Sequence, residues 1–166
     1  MSSLETRRVR LRPWTMDDLE AFHSIWGDDR VIWWGDVTDL AGSAGKLASC
    51  VQISDACGPD LGWFAVERPD GTVVGNVMLQ PARSLPGEVE IGWHFARAHQ
   101  DEGYATEAAA LLLERAWANT ETDRVVATIV AANEPAKRVA TKLGMHNSEP
   151  VIHQGVAHDL WVIDRP

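Results

Sequence analysis

The sequence predicts an α/β (α+β) fold: a mixed, mostly antiparallel central sheet of about seven strands flanked by four helices. Three observations lead there. Strand-like runs outnumber helical ones in the order β-α-α-β-β-β-α-β-α-β-β. A turn signal, RPDG, joins two neighbouring β-rich runs as a hairpin, while other strands are separated by whole helices, so hairpins mix with crossovers. The 166 residues fit one domain, 1–166, with one core.

The elements follow in chain order. Arg8 to Leu11 reads as a first strand closed by Pro13. TMDDLEAFHSIW reads as a helix, with Thr15 as N-cap, Asp18 three residues on, and Leu19, Phe22 and Trp26 on one stripe. VIWWGDVTD is irregular and aromatic. Leu40 to Ser54 is a second helix, weakened by Gly42 and Gly45. GWFAVER and TVVGNVMLQ form the hairpin. EVEIGWHFAR alternates as a strand, and Gly92 inside it suggests a bulge or the close approach of a ligand. TEAAALLLERAWAN carries an apolar helical stripe of Ala105, Ala108, Ala109, Leu112 and Ala116. RVVATIV is a buried strand. NEPAKRVATKLG is a helix capped by Asn133, with Pro135 in its first turn and Gly144 just past its end. Two further strands, around His153 to Val156 and through HDLWVID, close the chain.

Composition narrows the function. A net charge of −9 makes nucleic acid a poor partner, because phosphate contacts need a basic face. It favours a cationic partner such as an amine. No apolar run is long enough to span a membrane, and MSSLETRRVRLRPW lacks a secretory pattern, so a cytoplasmic protein is expected. Cys50 and Cys57, seven residues apart, make neither a zinc nor a redox motif, and no metal is expected. On one helix they share a face two turns apart, too far to bond.

The chemistry concentrates in HQDEGYATEA, His99 to Ala108. A strand ends near Arg97 and a helix begins near Tyr104. Gly103 gives the backbone the freedom to turn tightly between them. Amides at such a turn have no helical partner, and with the helix dipole they form a site for phosphate. Ala105 keeps the wall small. Asp101 and Glu102 are the puzzle, since they bring negative charge to an anion site. Backbone amides still bind phosphate if both side chains point to solvent, where a screening length of about 8 Å keeps the penalty modest. Lys137, Arg138 and Lys142 are available to offset it.

Gln100-Asp101-Glu102-Gly103-Tyr104-Ala105 resembles the phosphate loop (Gln/Arg)-x-x-Gly-x-(Gly/Ala) of the GNAT-type acyl-CoA N-acyltransferases. EIGWHFARAHQDEGYATEAA, NEPAKRVATKLGM, the early LRPW and the late HDLWVIDR are similar to the branch containing ribosomal-protein N-terminal acetyltransferases, over nearly the whole chain and in the family's order. The resemblance implies a GNAT-like fold with acetyl-CoA as co-substrate. It implies that Gln100 opens the cofactor-binding loop and that the N–H groups of Asp101, Glu102, Gly103, Tyr104, Ala105 and Thr106 hold the pyrophosphate. The strand at Trp93, His94 and Phe95 would pair with the pantetheine amides as an added strand would, and Asn133 would contact the cofactor arm.

Transfer of an acetyl group to an amine needs a base. Alternation in EVEIGWHF places Glu88, Glu90 and His94 on one strand face. Glu90 matches the family's base position best and Glu88 second, acting through water. His94 lies roughly 13 Å from Glu90 along the strand and is expected to pack or to contact through its backbone. His158 and Asp159, as strand neighbours, point to opposite faces. Two expected proton donors are missing: Ala136 stands where this branch tends to have Ser, and Ala140 where many relatives have Tyr. Trp33, Trp34 and Asp36 lie in the region that borders the family's acceptor groove, where aromatic faces and carboxylates suit an ammonium group. The expected acceptor is a primary amine, a protein or peptide N-terminus first and a small amine second, on a monomer or homodimer. A CoA-binding module without turnover is the alternative.

Overall fold

The computed structural model describes residues 5–29, 31, 33, 37–58, 60–153 and 155–166. Eight strands and four α-helices occur among them, in the order β1 (Arg10–Pro13), α1 (Leu19–Trp26), α2 (Leu40–Cys57), β2 (Gly62–Glu67), β3 (Val73–Pro81), β4 (Val89–Phe95), α3 (Tyr104–Asn119), β5 (Arg124–Val130), α4 (Glu134–Lys142), β6 (His146–Asn147), β7 (Val151–His153) and β8 (Val156–Asp164). The sheet runs β1-β2-β3-β4-β5-β8-β6, and β7 also pairs with β8. Among the described residues β4 and β5 form the one parallel pair, and every other strand pair is antiparallel. The mixed, mostly antiparallel sheet flanked by four helices is therefore as the sequence predicts, with the two-residue β6 added at the edge.

Local chemistry explains the boundaries. The first strand begins at Arg10 rather than Arg8, because Thr6 to Val9 forms a turn closed by the Thr6 N–H on the Val9 carbonyl at 2.8 Å. Asp18 accepts both the N–H and the hydroxyl of Thr15, at 2.9 and 3.0 Å, and the chain opens α1 through a 3₁₀ turn at Met16–Asp18. Arg12 adds a two-pronged bond to the same carboxylate, 2.8 Å on each arm. Burial works to raise the Asp18 carboxyl, and the Arg12 and Thr15 bonds overcome it and hold it below its ordinary value. α4 starts on Asn133 and ends in a Schellman motif: the Gly144 N–H bonds the Thr141 carbonyl and the Met145 N–H the Ala140 carbonyl, with Gly144 at φ +83°. α2 runs on to Cys57; Cys50 and Cys57 are both free, and burial pushes the Cys50 thiol up to about 12.

The bulge expected at Gly92 is absent. β3 and β4 keep register from Gly75↔Phe95 to Pro81↔Val89, and the space above Gly92 is held by the end of Met78, whose Cε would lie 2.6 Å from an added Cβ. The register shift falls instead between Val66 and Glu67 of β2.

Two large cores cover the two faces of the sheet, and a third, smaller cluster gathers Ala82, Val126, Leu160 and Val162. Val77, Leu79, Ile91, Phe95 and Val125 pack with Ala108, Ala109 and Leu112 of α3 and with Ala140 of α4. On the opposite face Trp14, Phe22, Ile25, Trp26, Leu47 and Cys50 pack with Ala65. Among the described residues no helix is long and apolar enough to cross a membrane.

Candidate active site

The parallel pair is short. β4 and β5 are in register only at Val89↔Val125 and Glu90↔Val126. Beyond that, residues 91–95 stay with β3 and residues 127–130 with β8, so the two strands part. A cleft of about 230 Å³ borders this wedge, and Trp93, His94 and Phe95 of β4 line it. A strand that loses its neighbour exposes backbone donors and acceptors to whatever enters.

The loop after β4 closes the same cleft. The Gln100 side chain donates to the Phe95 carbonyl at 3.0 Å and fixes where the loop leaves the strand. Asp101 sits at φ +63°, the one non-glycine at positive φ among the described residues, and Gly103 follows at +83°. Aspartate tolerates this region better than most side chains, though at a cost of order 1 kcal/mol. Two left-handed residues within three positions curl the backbone into an anion-binding concavity. The first helical bond of α3 runs from the Glu107 N–H to the Gly103 carbonyl, so the amides of Tyr104, Ala105 and Thr106 have no acceptor inside the helix. Gln100, Asp101 and Gly103 line the cleft, as do Tyr104, Ala105 and Thr106.

Glu102 is the one candidate of this loop outside the lining. Its carbonyl accepts from Arg8 Nη2 at 2.6 Å. Arg8 also pairs with Glu107 at 3.3 Å and lies over the Tyr104 ring at 4.6 Å, while the Thr6 hydroxyl donates to Glu107. Nothing local in the sequence marks Arg8 as part of this loop, which lies 94 residues away. Asp101 and Glu102 are both exposed. Across the cleft stand Arg138 and Lys142, whereas Lys137 is held by Asp159 at 2.8 Å and Glu134 at 3.3 Å.

From α4, Asn133 lines the cleft while its Oδ1 accepts the Ala136 N–H at 3.2 Å, so it both caps the helix and faces the site. Ala136 is part of the wall and Ala140 is fully buried behind it; neither offers a hydroxyl. Asp159 turns to Lys137 and His158 Nδ1 to the Val156 carbonyl at 2.9 Å, so these neighbours make no dyad.

Glu90 occupies the last paired position before the strands separate. It is buried and accepts the Thr128 hydroxyl. It lies outside the cleft lining, at the wedge apex. Glu88 precedes β4, and Arg124 takes its carboxylate through both Nη2 and Nε; that bond raises the arginine further. Arg124 and Thr128, which hold Glu88 and Glu90, stand four residues apart on β5 and so on one face of it, as expected for two carboxylates that share a face.

His94 is buried, with its ring 5.2 Å from Trp26 and stacked at 6.2 Å on Trp63. Its Nδ1 is 3.3 Å from Asn76 Nδ2, and Asn76 Oδ1 accepts the Trp14 indole N–H at 2.8 Å. Burial first, and Lys46 second, depress its pKa to about 3. Of the residues expected at the acceptor, Trp33 lines the cleft beside Val31; Trp34 and Asp36 lie outside the described residues.

Comparison with known proteins agrees with this geometry. The model of the acetyltransferase (GNAT) domain matches residues 8–146. The uncharacterized protein YkkB of Bacillus subtilis is 34% identical over 90 residues, 54% of this chain and 52% of that protein, so the likeness spans about half its length. An acetyltransferase from Agrobacterium tumefaciens superposes with a TM-score of 0.85 at 22% identity, over 99% of this chain and 95% of that one. Mycobacterium smegmatis RimJ, solved in complex with CoA-disulfide, gives a TM-score of 0.74 at 21% identity, over 94% of this chain and 81% of that one. These two structures share the fold. The domain match takes in β1 through the end of α4, including the wedge and its loop, and by it this chain belongs to the GNAT acetyltransferase family.

Proposed function

We propose that the protein transfers the acetyl group of acetyl-CoA to a primary amine by direct attack in a ternary complex, with a protein or peptide N-terminus as the favoured acceptor. The observation that carries this reading is the parting of β4 from β5 after Glu90, beside a loop whose left-handed turns gather amides at the start of α3. An extended amide-bearing donor arm can pair with the freed edge of β4 as an added strand, while its diphosphate meets the Gly103 loop. Arg138 and Lys142 at the cleft wall favour the same anion. Gln100, Asp101, Glu102, Gly103, Tyr104, Ala105, Thr106 and Asn133 are the residues proposed for the donor, with Trp93, His94 and Phe95.

In the reaction the amine nitrogen attacks the thioester carbonyl carbon, the C–S bond breaks, and the sulfur leaves with the electron pair. Glu90, at the apex, accepts the amine's proton through water. A thiol pKa near 8.5 lets the sulfur depart as thiolate without a hydroxyl donor from α4. An α-amine, with a pKa near 7.7–8.0, costs roughly 3 kcal/mol less to deprotonate at neutral pH than a lysine near 10.4, which suits a single carboxylate base. Trp33 is proposed to border the acceptor.

The absence of a hydroxyl at Ala136 and Ala140 favours a second reading, a CoA-binding module without turnover. Thiol release from acetyl-CoA, followed with a panel of amines and N-terminal peptides, separates the two. Release is expected with α-amines, and Glu90→Gln is expected to lower kcat roughly a hundredfold while donor binding persists. Donor binding without thiol release for any acceptor would establish the module, and full turnover in Glu90→Gln would remove this carboxylate from the reaction.

A further inference from the structure

We propose that Arg8 is a positioning residue for the donor: it braces the phosphate-binding turn from behind, aims the Gly103 N–H at the cleft, and so sets affinity for a phosphate-bearing donor. This rests on the reading of the Gly103 loop given above. In a trans peptide the carbonyl and the following N–H point in opposite directions. The Glu102 carbonyl is drawn to Arg8 Nη2 at 2.6 Å, which turns the Gly103 N–H away from Arg8. Gly103 itself lines the cleft.

The remaining contacts of Arg8 support the same role. One guanidinium holds the turn at Glu102, the first helical residue through the Tyr104 ring, and the end of the first turn through Glu107. Those three points bracket the amides that have no partner within α3. Positive φ at Asp101 is a strained state that persists only when its surroundings hold it. A planar fork that reaches a carbonyl and a carboxylate together is suited to that task, and a lysine, with one compact charge, is not. Arg8 also answers the acidity of the loop. Asp101, Glu102 and Glu107 would all repel a diphosphate, and the Glu107 carboxylate is engaged by both Arg8 and the Thr6 hydroxyl. The segment just before β1, far away in sequence, thus completes the anion site.

The test compares acetyl-CoA with S-acetyl-pantetheine, which lacks the phosphates, as donors for wild type, Arg8→Met and Arg8→Lys. Loss of a charge-assisted hydrogen bond predicts that Arg8→Met raises KM for acetyl-CoA about tenfold, moves kcat less than about threefold, and leaves kcat/KM for S-acetyl-pantetheine within about twofold. Arg8→Lys, which restores charge but not the fork, is expected to raise KM for acetyl-CoA about threefold. Equal losses on both donors would mean that Arg8 merely stabilises the domain, and an unmoved KM would remove it from the site. Wild-type behaviour in Arg8→Lys would reduce the effect to bulk charge and overturn the fork. If Arg8→Met does not fold, the lysine variant decides by the same criteria. Wild type that uses acetyl-CoA no better than the truncated donor would sink the phosphate-loop reading itself, and Arg8 with it.

Discussion

The Trp14 indole can only donate, so the Asn76 oxygen must face it and the Asn76 NH₂ must face His94 Nδ1. Nδ1 therefore accepts, and the proton of the neutral imidazole sits on Nε2. A protonated ring would bring two donors together at Nδ1 in a buried place, which agrees with a pKa depressed to about 3 by burial and, second, by Lys46. Because the folded pKa lies below the unfolded value near 6.5, the unfolded chain binds the proton first as pH falls. The associated stability is present above about pH 6.5 and declines below it, most steeply midway between the two values at about 1.4 kcal/mol per pH unit, and levels off below about pH 3. Asp18 and Glu67, whose carboxyls are held below their ordinary values, are lost only at lower pH than this window opens. Urea unfolding at pH 7, 6 and 5 is thus expected to show a falling stability in wild type that is shallower in His94→Gln; parallel slopes would contradict the buried neutral ring.

At the scale of elements, β3 and β4 are locked by two glycines of unlike tolerance. A Cβ on Gly75 would fall within 2.6 Å of three atoms of the Phe95 ring, its cross-strand partner. The ring is buried and cannot swing aside freely. A Cβ on Gly92 would strike the free end of Met78, a flexible chain that can move. Gly75→Ala is therefore expected to cost about 2–3 kcal/mol by overpacking, and Gly92→Ala less than about 1 kcal/mol. Since Phe95 also lines the cleft, donor affinity should fall in Gly75→Ala and hold in Gly92→Ala. Urea midpoints with donor titrations on both variants check this, and similar costs at the two sites would refute the distinction. α4 shows the opposite economy: Asn133 caps it while lining the cleft, so one side chain belongs to the helix end and to the cleft wall together.

At the scale of the whole molecule, α1 and α2 cover one face of the sheet, α3 and α4 the other, and the sheet opens between β4 and β5. A chain of net charge −9 must hold a polyanion through local groups against its own average field. The amides at α3, with Arg8, Arg138 and Lys142, are the groups proposed for that task. A ligand that binds only the folded state at a hundred times its Kd adds about 2.7 kcal/mol. For a domain of this size that corresponds to a Tm rise of roughly 5–10 °C with acetyl-CoA. Differential scanning calorimetry with acetyl-CoA and with S-acetyl-pantetheine measures it; no rise with acetyl-CoA would deny the cleft its proposed ligand.

The sequence by itself determined the order of elements apart from the two-residue β6, the mixed sheet, the caps at Asn133 and Gly144, and the place of the Gly103 loop between a strand and a helix. These are read from periodicity, turn chemistry and glycine, all of which act between residues a few positions apart. Tertiary structure alone decided what meets across the chain. It took Glu88 away to Arg124, replaced an expected bulge at Gly92 with the end of Met78, linked Trp14, Asn76 and His94, set Thr128 on Glu90, and brought Arg8 to the back of a loop that local pattern had marked as acidic. The physical reason is that burial and hydrogen bonding are settled by strand register and by which segment returns to which edge. Those depend on the whole sheet closing at once, and no window of sequence contains them.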